Sequence, residues 1–231
     1  MIDKTTTPAG ALRTVAHGSR VMLGGFGAPG TPFTLIAALL EQGATGLTLV
    51  KNDANEQGMG ISTLFEAGRA KRFIVSHMGL NALAIEMMNQ GRLEVEMHPQ
   101  GILAEKIRAG GAGLAAFLTD IGLETLLAEQ RETTSFRGRR YIVEPALRAD
   151  VALVHAARAD RWGNLVFEKT ARNFNPLMAT AADLVVAEAR EIVDIGALDP
   201  DHIHTPGAFV DHVVPVATGM KEYEVLENHV A

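Results

Sequence analysis

The chain has 231 residues, of which 47% are hydrophobic and 21% are charged, as in a globular protein with a sizeable core. Its formal net charge of -6 argues against nucleic acid and against an anionic membrane surface as partners. The sequence has no cysteine, which excludes disulfides, thiolate metal sites and a cysteine nucleophile. The first residues lack the apolar core of a signal peptide, and no apolar run approaches the roughly 20 residues of a membrane span. We therefore expect a cytoplasmic protein.

A strand, a glycine-rich turn and a helix are predicted near the start of the chain. Residues 21–23 (Val-Met-Leu) are expected to form a buried strand, and the largely apolar residues 33–40 a helix. Between them, four of the seven residues from 24 to 30 are glycine. Such a turn lets a ligand approach the backbone, and its N–H groups and the helix N-terminus would face an anion. A tight turn that binds nothing is the structural alternative.

The same turn also fits the dinucleotide pattern G-x-G-x-x-G formally, from Gly25 to Gly30. Asp53 would then be the acidic residue expected about 20 positions further on. Pro29 and Pro32 argue against this interpretation, because proline has no N–H donor and pushes the preceding residue away from helical geometry. The helix is therefore expected to begin near Pro32, after the turn.

Strand-like apolar runs alternate with helix-like segments along the rest of the chain. This alternation predicts an α/β fold with a mostly parallel, open sheet flanked by helices, in a single domain over residues 1–231. The expected strands are residues 46–50, 72–76, 93–97, 140–143, 151–155, 184–188 and 210–216, and the expected helices are residues 61–70, 81–90 and 101–109.

Local sequence signals mark the ends of some of these elements. Asn81 is the expected N-cap of the second of the three helices, and Gly110-Gly111 is expected to end the third. The polar segment 129–140 is expected to be a solvated hairpin or another surface excursion. Residues 221–231 are expected to be a frayed tail or a short contact with a partner chain.

Three polar segments are candidates for parts of a site. Asn52 and Asp53 follow a predicted strand, and ligands of open α/β sheets bind at such strand ends. Gln100 follows another strand, and its amide could stabilise an oxyanion together with a nearby backbone N–H. Arg172 could hold a carboxylate or a phosphate. Ordinary polar loops and turns are the alternative for each segment.

Other kinds of site find less support in the sequence. Asn173 and Asn175 are expected to order the turn before Pro176. The eight histidines show no metal-ligand pattern, and no third ligand accompanies His202 and His204. The G-x-S-x-G elbow of serine hydrolases is absent from the sequence. We therefore expect no metal site and no serine nucleophile.

Taken in order, these segments resemble the A (alpha) subunit of family I CoA-transferases, of the 3-oxoacid or acetate–acetoacetate type. The family signature, an apolar triplet followed by G-G-F-x-x-x-G-x-P, matches residues 21–32. The chain departs from the family where His17-Gly18 stands in place of an acidic or amide residue followed by glycine. Further matches lie in residues 99–101, 107–113, 147–150, 159–165, 171–176, 201–203 and 205–207.

The resemblance implies a ping-pong reaction that moves CoA from an acyl-CoA, short-chain or 3-oxoacyl, to a carboxylic acid. A glutamate attacks the acyl-CoA to form an acyl anhydride, a glutamyl-CoA thioester follows, and CoA then passes to the second acid. In the family this glutamate lies in a partner B subunit, in a motif like S-E-N-G. This chain has no such motif, and we do not assign Glu56, in the nearest string Asn55-Glu56-Gln57-Gly58, as the nucleophile.

The resemblance also implies roles for residues of this chain. Gln100 would be the oxyanion donor in a site that the B subunit completes. Coenzyme A would be a substrate, and no permanently bound cofactor is expected. The residues that would approach coenzyme A are those of the turn: Gly24, Gly25, Phe26, Gly27, Ala28, Pro29 and Gly30.

Two alternatives stay open at the level of sequence. One is an α/β module that binds a CoA-type metabolite without turnover, which the glycine-rich turn alone would explain. The other is a protein like a sugar-phosphate isomerase, which would need a general base of its own, with Asp53 or Glu56 as candidates.

Overall fold

The computed structural model describes residues 2–129 and 131–219. The expected tail at 221–231 lies outside these residues. The helices are α1 (Pro8–Leu12), α2 (Phe33–Gln42), α3 (Ser62–Glu66), α4 (Ala82–Asn89), α5 (Gln100–Gly111), α6 (Leu126–Glu129) and α7 (Asn175–Thr180). The strands are β1 (Arg20–Leu23), β2 (Leu47–Val50), β3 (Ala70–Val75), β4 (Glu94–Met97), β5 (Ala116–Thr119), β6 (Thr133–Phe136), β7 (Arg139–Pro145), β8 (Ala149–Asp160), β9 (Leu165–Val166), β10 (Ala182–Val193) and β11 (His212–Pro215). Short 3-10 helices occupy Lys169–Arg172, Pro200–His202 and Gly207–Phe209.

The main sheet is parallel along its path β11-β10-β8-β1-β2-β3-β4, and β9 pairs antiparallel with β8. Strand β1 lies in the middle, where Val21 is opposite Leu49 of β2 and Val151 of β8. The chain adds β2, β3 and β4 on one side of β1, and β8, β10 and β11 on the other. Loops at the carboxyl end of β1 therefore lie at the point where the strand order reverses, which is where open α/β sheets bind ligands.

Each face of the main sheet is covered by its own hydrophobic core. Val21 and Leu23 of β1 pack on the face that α1, α2, α3 and α4 cover, whereas Met22 packs on the face that α5 and α7 cover. This alternation follows from the period of two in a strand, and burial on both faces is typical of parallel sheets. The predicted α/β fold with a mostly parallel open sheet is thus confirmed.

A second, antiparallel sheet of three strands, β5-β7-β6, was not predicted as a sheet. The hairpin expected within 129–140 is confirmed as β6 and β7, which are joined by Arg137 and Gly138. Both of these residues have positive φ, 49° and 75°, as a tight two-residue hairpin turn requires. Buried Glu144 of β7 accepts hydrogen bonds from Lys106 of α5 (2.9 Å) and from Arg131, which fixes the small sheet to α5.

Two of the predicted helices differ from those in the structure. The helix expected over 61–70 is only α3, because Gly68, with φ of 63°, turns the chain into β3. Helix α5 ends at Gly111, two residues later than expected, so Gly110 and Gly111 lie inside its last turn. They allow close packing instead, since a Cβ would lie 2.2 Å from the Leu147 carbonyl oxygen at Gly110 and 2.1 Å from Thr180 Oγ1 at Gly111.

The other expected helices agree with the structure more closely. The side chain of Asn81 accepts a hydrogen bond from the Ala84 N–H (2.9 Å) and so caps α4 as predicted. Helix α2 begins directly after Pro32, also as predicted. Within the described residues, no helix combines the length and the apolar character that crossing a bilayer requires.

A buried carboxylate joins the N-terminus of α2 to strands β10 and β8 of the main sheet. Glu188 of β10 is fully buried, and its Oε2 accepts the Leu35 N–H of α2 (2.9 Å). Its Oε1 lies 2.9 Å from Nδ1 of His155, which is buried on β8. A carboxylate at a helix N-terminus satisfies an N–H group that has no partner within the helix and interacts favourably with the helix dipole. Glu188 therefore holds the helix that follows the glycine-rich turn.

Replacing Glu188 should destabilise the whole chain. In Glu188→Ala, the Leu35 N–H and the His155 ring lose a buried partner, and we expect unfolding to become about 2–4 kcal/mol easier. Glu191→Ala is the matched control on the same strand, because Glu191 pairs with Arg158 at the surface (2.9 Å) and should change stability by about 0.5 kcal/mol or less. Urea unfolding followed by circular dichroism measures both, and equal losses would contradict the assigned role of Glu188.

Candidate functional site

A cavity of about 1030 Å³ opens at the carboxyl ends of β1, β2, β3 and β4. Ligands were expected at this edge of the sheet, and the structure brings together three of the predicted features there: part of the glycine-rich turn, the segment with Asn52 and Asp53, and Gln100. Arg172 is not among the lining residues. The lining consists of Phe26, Gly27, Ala28, Pro29, Asn52, Asp53, Ala54, Asn55, Glu56, Met59, Ser76, His77, Met78, Leu80 and Gln100.

The seven residues of the turn divide into two groups. Phe26, Gly27, Ala28 and Pro29 line the cavity, whereas Gly24, Gly25 and Gly30 do not. A Cβ on these three glycines would meet other parts of the protein: Asn175 Oδ1 at 1.9 Å from Gly24, Thr31 Oγ1 at 2.2 Å from Gly25, and the Ala171 carbonyl oxygen at 2.4 Å from Gly30. Packing within the chain therefore explains these three glycines.

Gly27 is different from the other glycines of the turn. It has a φ of 61°, and a Cβ there would find its nearest neighbour, Pro29 Cδ, only at 3.9 Å. Its carbonyl oxygen accepts hydrogen bonds from Thr31 Oγ1 (2.7 Å) and Asn55 Nδ2 (2.9 Å). Gly27 is thus the glycine whose missing side chain leaves space next to the cavity.

The N–H groups of the turn are mostly bound within the protein. Gly24 N–H donates to the Leu153 carbonyl (2.9 Å), Gly25 N–H to Asn173 Oδ1 (3.1 Å) and Gly27 N–H to Asp53 Oδ2 (2.7 Å). The N-terminus of α2 is occupied by the carboxylate of Glu188. The expectation that these groups face an anion was therefore wrong, because acceptors of the chain itself already satisfy them.

Two asparagines hold the turn from behind. Asn173 Nδ2 donates to the Pro29 carbonyl (2.9 Å), and Asn175 Nδ2 donates to the Gly30 carbonyl (3.1 Å). Asn175 Oδ1 in turn accepts the His155 N–H (2.9 Å). These residues were expected only to order their own local turn. More than 140 residues of sequence separate them from the glycine-rich turn, so local sequence signals do not reveal this role.

Asp53 is the centre of a buried polar network beside the cavity. Its Oδ1 lies 3.1 Å from Lys51 Nζ and accepts the Asn55 N–H (3.0 Å). Its Oδ2 accepts the Gly27 N–H (2.7 Å) and Asn52 Nδ2 (3.1 Å). Burial alone would raise the pKa of Asp53, but the Lys51 charge and these hydrogen bonds outweigh burial and lower it. Asp53 is therefore an ionised anchor of the loops.

The occupied oxygens of Asp53 weaken two sequence-based alternatives. A general base needs a free lone pair within reach of the proton it removes. Four hydrogen-bond donors are directed at the oxygens of Asp53. This carboxylate therefore has no free lone pair for a proton of a sugar phosphate. For the same reason it is a poor partner for the ribose of a dinucleotide.

The network extends from Asp53 to Gln100 through Asn52. Because a carboxylate only accepts hydrogen bonds, the amide nitrogen of Asn52 faces Asp53 and its Oδ1 faces the other way. That oxygen accepts Ser76 Oγ (2.8 Å) and Gln100 Nε2 (2.8 Å). Gln100 is therefore turned with its NH₂ group toward Asn52. An amide nitrogen carries two hydrogens, so the second N–H of Gln100 remains to donate to a ligand.

Some lining residues were missed in the sequence analysis. Ser76, His77, Met78 and Leu80 follow β3, just as the predicted site residues follow β1, β2 and β4. The predicted strand at 72–76 could have indicated these residues, because its carboxyl end lies at the same edge of the sheet as those of the other strands. Within residues 2–129 and 131–219, no group of three or more His, Asp or Glu side chains could hold a metal ion.

Comparison with known proteins shows which family the sequence of this chain matches. The sequence profile of the family described as "Coenzyme A transferase" matches residues 5–215 of the chain. The chain is 47% identical to the A subunit of the succinyl-CoA:3-ketoacid coenzyme A transferase of Xanthomonas campestris pv. campestris (strain B100), with 91% of this chain and 87% of that one covered. It is 46% identical to the alpha subunit of the acetate CoA-transferase of Escherichia coli (strain K12), with 93% and 97% covered.

Solved structures agree in fold. The acyl-CoA transferase of E. coli O157:H7, in a thioester complex with CoA, superposes with a TM-score of 0.85 at 21% identity over 94% of this chain. This chain spans about half the length of that protein, with 48% of it covered. The profile match and the two relatives each extend over most of the sequence. The chain therefore belongs to the coenzyme A transferase family.

Proposed function

We propose that this chain is the A-type half of a CoA-transferase that moves CoA between an acyl-CoA and a carboxylic acid. The proposal is supported by relatives that are named as A or alpha subunits and that are similar over 87% and 97% of their own length. The observation that carries it is the cavity in which Phe26, Gly27, Ala28, Pro29 and Gln100 meet. A partner B subunit supplies the glutamate nucleophile, because the S-E-N-G motif is absent from this sequence.

The proposed reaction proceeds in four displacements. The partner's glutamate attacks the acyl-CoA carbonyl and expels the CoA thiolate, which gives a mixed anhydride. The thiolate then attacks the glutamyl carbonyl and releases the first carboxylic acid as its carboxylate. The acceptor carboxylate attacks the glutamyl thioester, and the thiolate expelled in this step attacks the acyl carbonyl of the new anhydride to restore the glutamate. Each displacement passes through a tetrahedral oxyanion.

In this reaction Gln100 donates its second amide N–H to the oxyanion. The donor is already oriented, because Asn52 accepts the other N–H and is itself fixed by Asp53 and Ser76. Because negative charge develops on the oxygen in the transition state, a donor already oriented toward it stabilises that state without a cost of reorientation. Asn52, Asp53 and Ser76 are therefore positioning residues for Gln100.

Gln100→Ala tests this role directly. In the complex with its cognate B subunit, we expect kcat to fall by about 10²–10³-fold, because one oxyanion donor is lost, while KM for the acyl-CoA changes little. Gln90→Ala, at the exposed end of α4, is the matched control and should keep the kcat of the wild-type complex. Steady-state kinetics with purified complexes measure both parameters. A kcat that is unchanged in Gln100→Ala would refute the assignment.

The exposed part of the turn is proposed to contact CoA itself. Phe26, Ala28 and Pro29 form one wall of the cavity, and Gly27 leaves open space beside them. Gly24, Gly25 and Gly30 contribute by holding this wall in place, and not by touching the ligand.

Gly27→Ala separates ligand contact from backbone strain. Gly43 is the matched control, since it also has a positive φ (89°) and open space for a Cβ, but caps the far end of α2. Both substitutions should destabilise the chain by about 1–2 kcal/mol through the left-handed backbone. Only Gly27→Ala should raise KM for the acyl-CoA, and by severalfold, when the complex is assayed well below its melting temperature. An equal rise of KM for the acyl-CoA in both variants would show that Gly27 affects binding through stability alone.

Three further properties belong to the same proposal. We expect a single domain over residues 1–231, a cytoplasmic location and no permanently bound cofactor, with CoA bound only as a substrate. The absence of cysteine from the sequence is consistent with a reducing compartment. We expect cell fractionation to place the protein in the cytoplasm. Unfolding should show one cooperative transition, and the mass of the purified complex should contain no additional group. A pelleted protein, two separate transitions or a retained cofactor would each contradict one of the three.

A further inference from the structure

We infer that His98 is a positioning residue for Gln100, and that it ties the turn before α5 to the small antiparallel sheet through Arg131 and Glu144. The inference deepens the proposed function and rests on it, because it concerns how the oxyanion donor of that reaction is held. His98 itself is not among the residues that line the cavity, so it acts from behind the site.

The position of His98 in the chain links it closely to Gln100. His98 lies in the turn that joins β4 to α5, where its backbone N–H donates to the Val75 carbonyl of β3 (2.9 Å) and its side chain is fully buried. Pro99 follows with a φ of -53°, and Gln100 is the first residue of α5. Because the proline ring restricts φ, a displacement of His98 is passed on to Gln100 with little room for the chain to absorb it.

The imidazole of His98 has a hydrogen-bond partner on each ring nitrogen. Nδ1 lies 3.2 Å from Arg131 Nη2, and Nε2 lies 2.7 Å from Glu96 Oε1. A guanidinium only donates, so Nδ1 accepts, and the ring proton is on Nε2, which donates to the Glu96 carboxylate. The hydrogen bonds from His98 and from Arg72 lower the pKa of Glu96 to about 2, so this carboxylate stays an acceptor at neutral pH. His98 is therefore held as a neutral ring in one tautomer.

Arg131 connects this ring to the small sheet. It also donates to Glu144 of β7, which is buried and accepts a hydrogen bond from Lys106 Nζ (2.9 Å). Lys106 belongs to the second turn of α5. The carboxylate of Glu144 thus holds the helix at two places, directly at Lys106 and, through Arg131 and His98, at the turn where the helix begins.

Gln100 is therefore held from two directions. Asn52 accepts one of its amide N–H groups (2.8 Å) and fixes the end of its side chain. His98 fixes the backbone from which that side chain starts, through its contacts with Glu96 and Arg131. A displacement of a catalytic group by about 1 Å can cost about 100-fold in rate, so both ends must be in place for the second N–H to meet the oxyanion.

Kinetics of the complex with its cognate B subunit test the inference. His98→Leu removes both hydrogen bonds of the ring, whereas His98→Asn keeps an oxygen near the place of Nδ1 that can accept from Arg131. We expect kcat to fall by about tenfold in His98→Leu and by about threefold or less in His98→Asn, with KM for the acyl-CoA unchanged in both. An unchanged kcat in His98→Leu, or an equal loss of kcat in the two variants, would overturn the inference.

A double variant shows whether His98 acts through Gln100. In the Gln100→Ala background, His98→Leu should lower kcat by less than about twofold, because the side chain that His98 positions is already absent. A further loss of about tenfold in the double variant would mean that His98 supports the reaction by another route, and the inference would then be wrong.

Arg131→Met decides the question if His98→Leu does not fold. The Arg131 side chain is partly exposed, and Glu144 keeps Lys106 as a partner in this variant. We expect kcat to fall by about tenfold with KM for the acyl-CoA unchanged, because Nδ1 of His98 loses its donor. Arg139→Met, at an exposed arginine of β7, is the matched control and should keep the kcat of the wild-type complex. Equal kcat values in Arg131→Met and Arg139→Met would overturn the inference.

The outcomes also distinguish this inference from the proposed function. If Gln100→Ala lowers kcat and neither His98→Leu nor Arg131→Met does, the proposed function stands and only the inference fails. If the complex transfers CoA from no acyl-CoA to any acid, the proposed function fails, and the inference fails with it.

Discussion

The carboxylate of Asp53 connects the parts of the site that come from different strands. It receives the Gly27 N–H from the turn after β1, and Lys51, Asn52 and Asn55 from the segment after β2. A buried carboxylate that lost these donors would be strongly destabilised, so the loops keep their relative positions as long as Asp53 is ionised. The orientation of Asn52, and through it of Gln100, is a consequence of the same charge.

The glycine-rich turn is held by contacts on its far side. Asn173 and Asn175 bind the carbonyl groups of Pro29 and Gly30, and Glu188 holds the first turn of α2. The absence of side chains at Gly24, Gly25 and Gly30 allows this close packing, which leaves Phe26 to Pro29 as the wall of the cavity. A motif that first indicates an anion site thus owes three of its four glycines to packing within the chain.

The cavity combines an oriented amide donor with largely apolar walls. These properties suit a chain that positions an acyl group and stabilises an oxyanion while a partner chain forms the covalent intermediate.

By itself, the sequence determined the α/β fold, the order of most strands along the chain, the start of α2 after Pro32 and the cap at Asn81. These features depend on residues that are close together along the chain, where hydrophobic period, proline and capping geometry act. The order of the motifs along the chain also indicated the family. The sequence itself showed that the S-E-N-G motif of the nucleophile is absent. Only the tertiary structure decided which turn residues reach the cavity, why the last turn of α5 contains Gly110 and Gly111, and that Asp53 anchors the loops. Each of these depends on contacts between distant segments, such as Gly24 with Asn175 or Gly27 with Asp53, and local patterns carry no information about such partners.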